Sequence, residues 1–242
     1  MQSRLSASAE PARNALLTAL EAAEYSQLLE YSESVELKLR EVLYEANGPI
    51  THVYFLARGV ASIIAPVGDN TSVEVGTVGN EGLVGLPLLF GVDREPAKAF
   101  IQVADGGIRV TAAAFQKAVA ESVPLRALFL RYAQSYMSQV SQSSACNRAH
   151  SIEERCARWL LMTHDRVAAD EFPLTHEFLS LMLGVRRAGV TVAAGVLQKA
   201  GFIEYTHGHI KIVDRKGLEG AACACYRIIR DSYDGLSRPL SS

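Results

Sequence analysis

The sequence predicts an α+β chain: an antiparallel β-roll, then one long helix, then a helix-turn-helix closed by a β-hairpin. Three observations carry this. Short apolar runs with period-two alternation recur between residues 35 and 112, each closed by a glycine-bearing turn. From Pro124 the apolar spacing changes to three and four and stays so for about three heptads. Thr175 to Ile212 then fits the burial pattern of two helices near a right angle followed by two short alternating runs. At 242 residues, 49% hydrophobic and 21% charged, the chain has apolar material for a sizeable core and is not a disordered one.

Taken in order, residues 12 to 34 are rich in Ala, Leu and Glu and read as one or two helices. Residues 1 to 24 are expected to be an extension and 25 to 122 the β-roll. Its strands are V-E-L-K-L, V-Y-F-L, V-A-S-I-I-A, S-V-E-V-G-T-V, A-F-I-Q-V and I-R-V-T, in a sandwich or barrel of antiparallel type. A short helix follows Thr111. Pro124 then suits the first turn of a long helix over 123 to 147. On it Leu125, Leu128, Phe129, Tyr132, Tyr136 and Val140 form a stripe, read either as a dimer seam or as a face packed on the chain's own β-roll. Asn147 to His150 are the expected hinge. Ser151 and Glu154 form a capping box that starts a new helix and the last region, 148 to 242. That region should close with one helix around L-E-G-A-A-C-A-C-Y-R-I-I-R, and the tail from Gly235 is expected to be disordered.

The helix-turn-helix places Leu179, Leu183, Val185, Val190 and Ala193 at buried positions, small Ser180 where the helices touch, and Gly184 in the turn, where positive φ is needed. With Val190, Ala193 and Leu197 inward, the second helix shows Ala188, Thr191, Val192 and Gly195 outward, with Arg186 and Arg187 at its amino end. Two guanidinium groups beside a positive dipole end call for an external anion, and DNA phosphate or a guanine edge fits their fork. Charge agrees: residues 175 to 216 hold Arg186, Arg187, Lys199, Lys211, Arg215 and Lys216 against Glu177, Glu204 and Asp214, whereas the whole chain is −2. His207 and His209 lie on the wing and are read as phosphate neighbours rather than metal ligands.

Cys146, Cys156, Cys223 and Cys225 show no C-x-x-C spacing. Cys223 and Cys225, placed on one helix, would point about 200° apart, so all four are read as ordinary thiols and no metal is expected. The amino terminus has no secretory apolar segment and the longest apolar run, Leu83 to Val92, is too short to span a bilayer, so a cytoplasmic protein without a membrane partner is expected. G-x-S-x-G, Walker, G-x-G-x-x-G and H-E-x-x-H patterns are missing, and the roll segment has one histidine, His52, so no enzyme, catalytic residue or cofactor is expected.

The order of parts, with V-Y-F-L-A-R-G-V-A-S-I, V-G-N-E-G-L-V-G and L-T-H-E-F-L-S-L-M-L-G-V-R-R-A-G-V-T, resembles the Crp/Fnr family of bacterial transcription regulators from about Tyr25 to Tyr233. The resemblance implies a cyclic-nucleotide-binding-like jelly roll, a dimerisation helix and a winged helix-turn-helix. The partners it implies are double-stranded DNA, a second copy of the chain, RNA polymerase and a small-molecule effector. It further implies that Thr175, His176 and Arg186 grip phosphate and that Arg187 reads guanine, with Ala188 and Val192 standing where members with the best-known operator have a glutamate and an arginine. An effector pocket falls at Gly82, Gly85, Leu86, Arg94 and Ser141. Leu86 replaces the glutamate that would hold a ribose, and D-R-E-P-A-K lacks the Arg-Ser or Arg-Thr pair for a cyclic phosphate, so cyclic AMP is not the expected effector. Cysteines before Cys146, which iron-sulfur members use, are missing, and His52 is not assigned as a haem ligand. Two readings stand: a sequence-specific DNA-binding regulator, or a ligand-binding or protein-interaction module whose helix-turn-helix does not read DNA.

Overall fold

The computed structural model describes residues 14–68, 71–167, 169–206 and 208–236. His207, most of the expected extension and the tail beyond Leu236 lie outside the described residues. Asn14 anchors the start. Its side-chain oxygen caps α1 (Ala15–Thr18) by accepting from the Leu16 and Leu17 amides, and its side-chain amide donates to the carbonyls of Leu56 and Gly82. Glu21 then breaks the run and α2 (Ala22–Glu30) follows.

Seven strands form the roll: β1 (Ser32–Leu37), β2 (Val42–Tyr44), β3 (His52–Leu56), β4 (Val60–Gly68), β5 (Thr71–Val78), β6 (Lys98–Val103) and β7 (Asp105–Thr111). They make two antiparallel sheets, in the orders β1-β7-β3 and β2-β6-β4-β5. The six expected strands are present, and β2 is an addition; three residues with a register shift leave no alternation to read. Val53, Phe55, Ile108 and Val110 of one sheet meet Ala61, Ile63, Val78 and Ile101 of the other in a single core.

That core needs a lid, and the lid is helical. Thr111 caps α3 (Ala112–Glu121), and Ser122 caps α4 (Val123–Ala149), with Pro124 in the first turn. At 1.5 Å per residue α4 is about 40 Å long. The stripe expected as a dimer seam is spent here. Leu125, Leu128, Phe129 and Tyr132 are at most 3% exposed within their own protomer, with the Phe129 ring stacked on Phe115 and tilted against Phe55. Tyr136 and Val140 are half-buried beside the roll. An apolar stripe does not name what covers it, and the roll, open on that side, claims it. The Tyr132 ring lies so close to Gly82 that an added Cβ would fall 2.3 Å from it. On the opposite face, Val123, Leu130 and Met137 stay exposed at 64, 45 and 59%, spaced by seven.

Helix α4 runs to Ala149, so the break is narrower than the expected hinge: His150 turns extended, and Ser151 opens α5 (Ile152–His164) with both halves of the capping box formed. Then come β8 (Glu171–Pro173), α6 (His176–Leu183), α7 (Arg187–Lys199), β9 (Ile203–Thr206), β10 (His209–Ile212), α8 (Arg215–Ala221) and α9 (Cys225–Asp234). The hairpin gains a third strand, in the order β8-β10-β9. The single closing helix expected from the sequence is two, because Ala222 to Ala224 leave the helical path. From there α9 returns to α4, carrying Tyr233 and Leu236 to the β-roll core. Leu236 is therefore packed against protein, within the first residues of the tail expected to be loose. Among the described residues, no single helix is long and apolar enough to cross a membrane.

Polar side chains join the two halves. Arg166, 6% exposed, pairs with Glu81 at 2.8 Å, donates to the Met162 carbonyl and reaches Gln139 Oε1 at 3.1 Å. Gln139 in turn donates to the Thr77 carbonyl and accepts from Tyr233. Opposite charges this deeply buried stabilise only because each also finds hydrogen bonds.

Candidate nucleic-acid interface and the cavity behind it

Gly184 caps α6 at φ 61°, ψ 38°, the left-handed turn expected there, and α7 begins three residues later. Leu179, Leu183, Val190 and Ala193 are buried in the second core, and Val185 packs partly against it. Ser180 turns its hydroxyl onto the Glu177 carbonyl rather than across to α7. The consequence is a clean outer face: Arg186, Arg187, Ala188, Thr191, Val192 and Gly195 are all exposed. No carboxylate pairs with Arg186 or Arg187 among the described residues. Nor does α7 have an acidic residue in its first turn or a side-chain cap, so its positive end and both guanidinium groups point outward unneutralised.

Thr175 is exposed and spends its oxygen capping α6, accepting from the Phe178 amide. His176 has an internal role. Its ring stacks on wing Tyr205 at 4.2 Å and its Nδ1 lies 3.2 Å from Thr191 Oγ1. Burial first, and Arg187 second, lower its pKa, so it sits as a neutral strut between α6, α7 and the wing rather than as a cation for phosphate. His209 is exposed on β10 opposite Thr206.

Helix α6 is also the surface by which this half docks on the roll. Phe178 meets Phe100 edge-on at 6.0 Å, Met182 Sδ lies 3.5 Å from Ser62 Oγ, and Gln102 donates to Thr163. At the same seam Trp159 donates its indole N–H to Glu74 Oε1 at 2.8 Å, while Glu74 Oε2 is buried with no partner. Burial pushes the Glu74 carboxyl up to about 7, against the smaller opposing effect of the Trp159 hydrogen bond.

Behind the interface, between the roll and α4, lies a cavity of about 490 Å³. Gly85, Leu86, Arg94 and Ser141 line it as expected. Gly82 does not; it lies beneath the Tyr132 ring. Sequence reasoning missed Tyr44, Glu95, Tyr136 and Met137, which converge on the cavity from separate elements with no local motif. The walls are mostly apolar, Ile63, Val78, Leu83 and Phe90 among them. Arg94 is turned toward the loop, donating to the Asn47 carbonyl at 2.9 Å. Glu95 accepts from the Tyr44 hydroxyl, and burial holds its carboxyl above the usual range.

The cysteines also depart from expectation. Because Cys223 lies in the link before α9 rather than on a helix with Cys225, Cys146, Cys223, Cys225 and His150 converge, their ligand atoms all within 4.8 Å of one another. Hydrogen bonding with Cys223 holds the Cys146 thiol well below its usual range. Cys156 stays apart, its thiol pushed up to about 12 by burial.

Residues 154–221 match the sequence family described as the Crp-like helix-turn-helix domain. Over this stretch the chain carries a Crp-like helix-turn-helix domain. The fold around the Crp-like domain is shared with solved regulators of low sequence identity. FixK2 from Bradyrhizobium japonicum aligns at TM-score 0.68 and 17% identity, over 80% of this chain and 98% of that one. A putative transcriptional regulator of the Crp/Fnr family from Eubacterium rectale aligns at 0.67 and 17%, over 86 and 97%. CLP of Xanthomonas campestris, described as a c-di-GMP responsive global regulator, aligns at 0.60 and 17%, over 79 and 99%. No curated protein sequence matches the chain.

Proposed function

We propose that the chain is a sequence-specific transcription regulator that binds duplex DNA as a homodimer on an inverted repeat. The observation that carries this is the outer face of α7: two exposed, unpaired arginines at a helix amino end, followed by Ala188, Thr191, Val192 and Gly195, small enough for the backbone to sit deep in a major groove. Arg187, in the first turn, reads a guanine edge; Arg186, Thr175 and His209 sit where phosphates pass, and His176 holds the two helices and wing in register. The dimer seam moves from the face first expected to Val123, Leu130 and Met137, whose heptad spacing on a helix of about 40 Å suits a second copy of α4. Ser141 extends that face and also lines the cavity, so an occupant would be felt at the dimer contact.

The cavity favours a mostly apolar effector over a cyclic nucleotide. Leu86 offers no ribose acceptor, Arg94 is already engaged with Asn47, and Glu95 would repel a phosphate. Duplex-DNA binding measured against salt tests the reading. Phosphate contacts release counterions and give a steep negative slope of log affinity on log salt. A flat slope, with no enriched sequence selected from random duplexes, would favour an interaction module that does not read DNA.

A further inference from the structure

The cluster at the α4–α5 break has the composition and the surroundings of a metal centre. Cys146 and His150, at i and i+4, share a face at the end of α4, while Cys223 and Cys225 flank the bend between α8 and α9. Cys146 Sγ lies 3.4 Å from Cys223 Sγ, and His150 Nδ1 lies 3.6 Å from Cys225 Sγ. A tetrahedral ion with metal–sulfur bonds of about 2.3 Å separates its sulfurs by roughly 3.8 Å, so these distances match one mononuclear site. A polynuclear iron-sulfur cluster spreads its thiolates over several metal atoms and needs a wider cage.

A second, independent observation is charge. Arg155 and Arg158 are 7 and 5% exposed, and among the described residues neither has a carboxylate partner. Arg155 is held by Asn147 Oδ1 and the Leu183 carbonyl; Arg158 reaches Ser143 Oγ, and its Nε is buried with no acceptor. The Glu74 carboxyl lies within electrostatic reach of Arg158, but Arg155 is a guanidinium out of water without a counter-charge, which is costly. Three thiolates and a neutral imidazole around a divalent ion carry a net negative charge, which supplies the missing partner. Gln142 completes the surroundings, donating its amide to Cys225 Sγ at 3.1 Å, as outer-shell groups do at such centres.

We propose that Cys146, His150, Cys223 and Cys225 bind one zinc ion as a closed structural site that pins the DNA-binding half to the end of α4. Three soft sulfurs and one imidazole select zinc over calcium or magnesium, and four protein ligands leave no open position for catalysis. The ion ties the last turn of α4, the α4–α5 break and the α8–α9 bend at one point, fixing the angle at which α5 leaves α4. Binding releases whatever protons the three sulfurs still carry.

The test uses the full chain, reduced, reconstituted with zinc or cobalt and freed of loose metal by gel filtration. Zinc content of about one per chain is expected, and cobalt should give the intense visible bands of tetrahedral coordination with thiolate charge transfer in the near ultraviolet. Cys146→Ser and Cys223→Ser should abolish both signals, and Cys156→Ser should keep them. Should the serine variants fail to fold, Gln142→Ala retains every ligand and should weaken zinc by about 10–100-fold. Failure of the parent chain to retain zinc or show the cobalt bands would overturn the site. Equal metal loss in Cys156→Ser would do the same. So would a Cys146–Cys223 disulfide in the reconstituted protein, which requires the two sulfurs to close by roughly 1.4 Å.

Discussion

Glu74 offers a stability test with a defined sign. Its carboxyl titrates near 7 in the folded chain, against an ordinary value of 4.5 when solvated, so between those values the folded state holds a proton that the unfolded state has lost. Stability from this group is fully present below 4.5 and falls as pH rises to 7, by about 1.4 kcal/mol per pH unit, or about 3 kcal/mol in all. Glu74→Gln resembles the protonated acid, still accepting the Trp159 N–H and never ionising. The variant should match the parent near pH 5 and be more stable by about 3 kcal/mol near pH 8. Denaturant unfolding of both proteins at the two pH values measures it, since other titrating groups cancel in the difference. Trp159 is the one tryptophan in the sequence, and its emission should titrate near 7 in the parent and lose that step in the variant. A parent-to-variant difference that is the same at pH 5 and pH 8 would refute the assignment of a buried, proton-bearing carboxyl at this seam.

Arg187→Ala should relax preference at one base pair of each half-site, at a cost of roughly 1–3 kcal/mol in discrimination, whereas Arg186→Ala should lower the salt slope by about one and leave preference intact; selection from random duplexes and salt titrations separate the two. Replacing both Leu130 and Met137 with Glu should give folded monomers by sedimentation, while Leu128→Glu, which buries a charge in the β-roll core, should unfold the chain instead. Calorimetry with cyclic AMP should show no tight saturable site; binding at one per chain that Arg94→Ala removes would reverse the account of the cavity.

Local pattern carries much of this fold. The capping box at Ser151, the left-handed Gly184 and the alternating runs of the roll each depend on neighbours within a few residues, so they can be read from one line of sequence. Strand β2 is too short to show a period. The outer face of α4 escapes for a different reason. The stripe from Leu125 to Tyr132 reads plainly as apolar, but periodicity gives direction without a partner, and the open roll competes for it first. The cavity's Tyr44, Glu95 and Met137 meet only through tertiary folding. Cys223 and Cys225 diverge only if one helix runs through Ala222, where the backbone in fact extends.

The path of α9 has a consequence for how the molecule is made. Tyr233 and Leu236 belong to the β-roll core, alongside side chains as early as Leu16 and Leu17. A ribosome releasing the chain from its amino end would expose the roll, with α4 laid across it, well before those two residues emerge. The first half would therefore wait with an unsealed edge while the second half is synthesised. A stalled or shortened chain ending before Tyr233 would display apolar surface near Tyr132 rather than near the missing segment, and chaperone capture would map to a region far away in sequence from the cut.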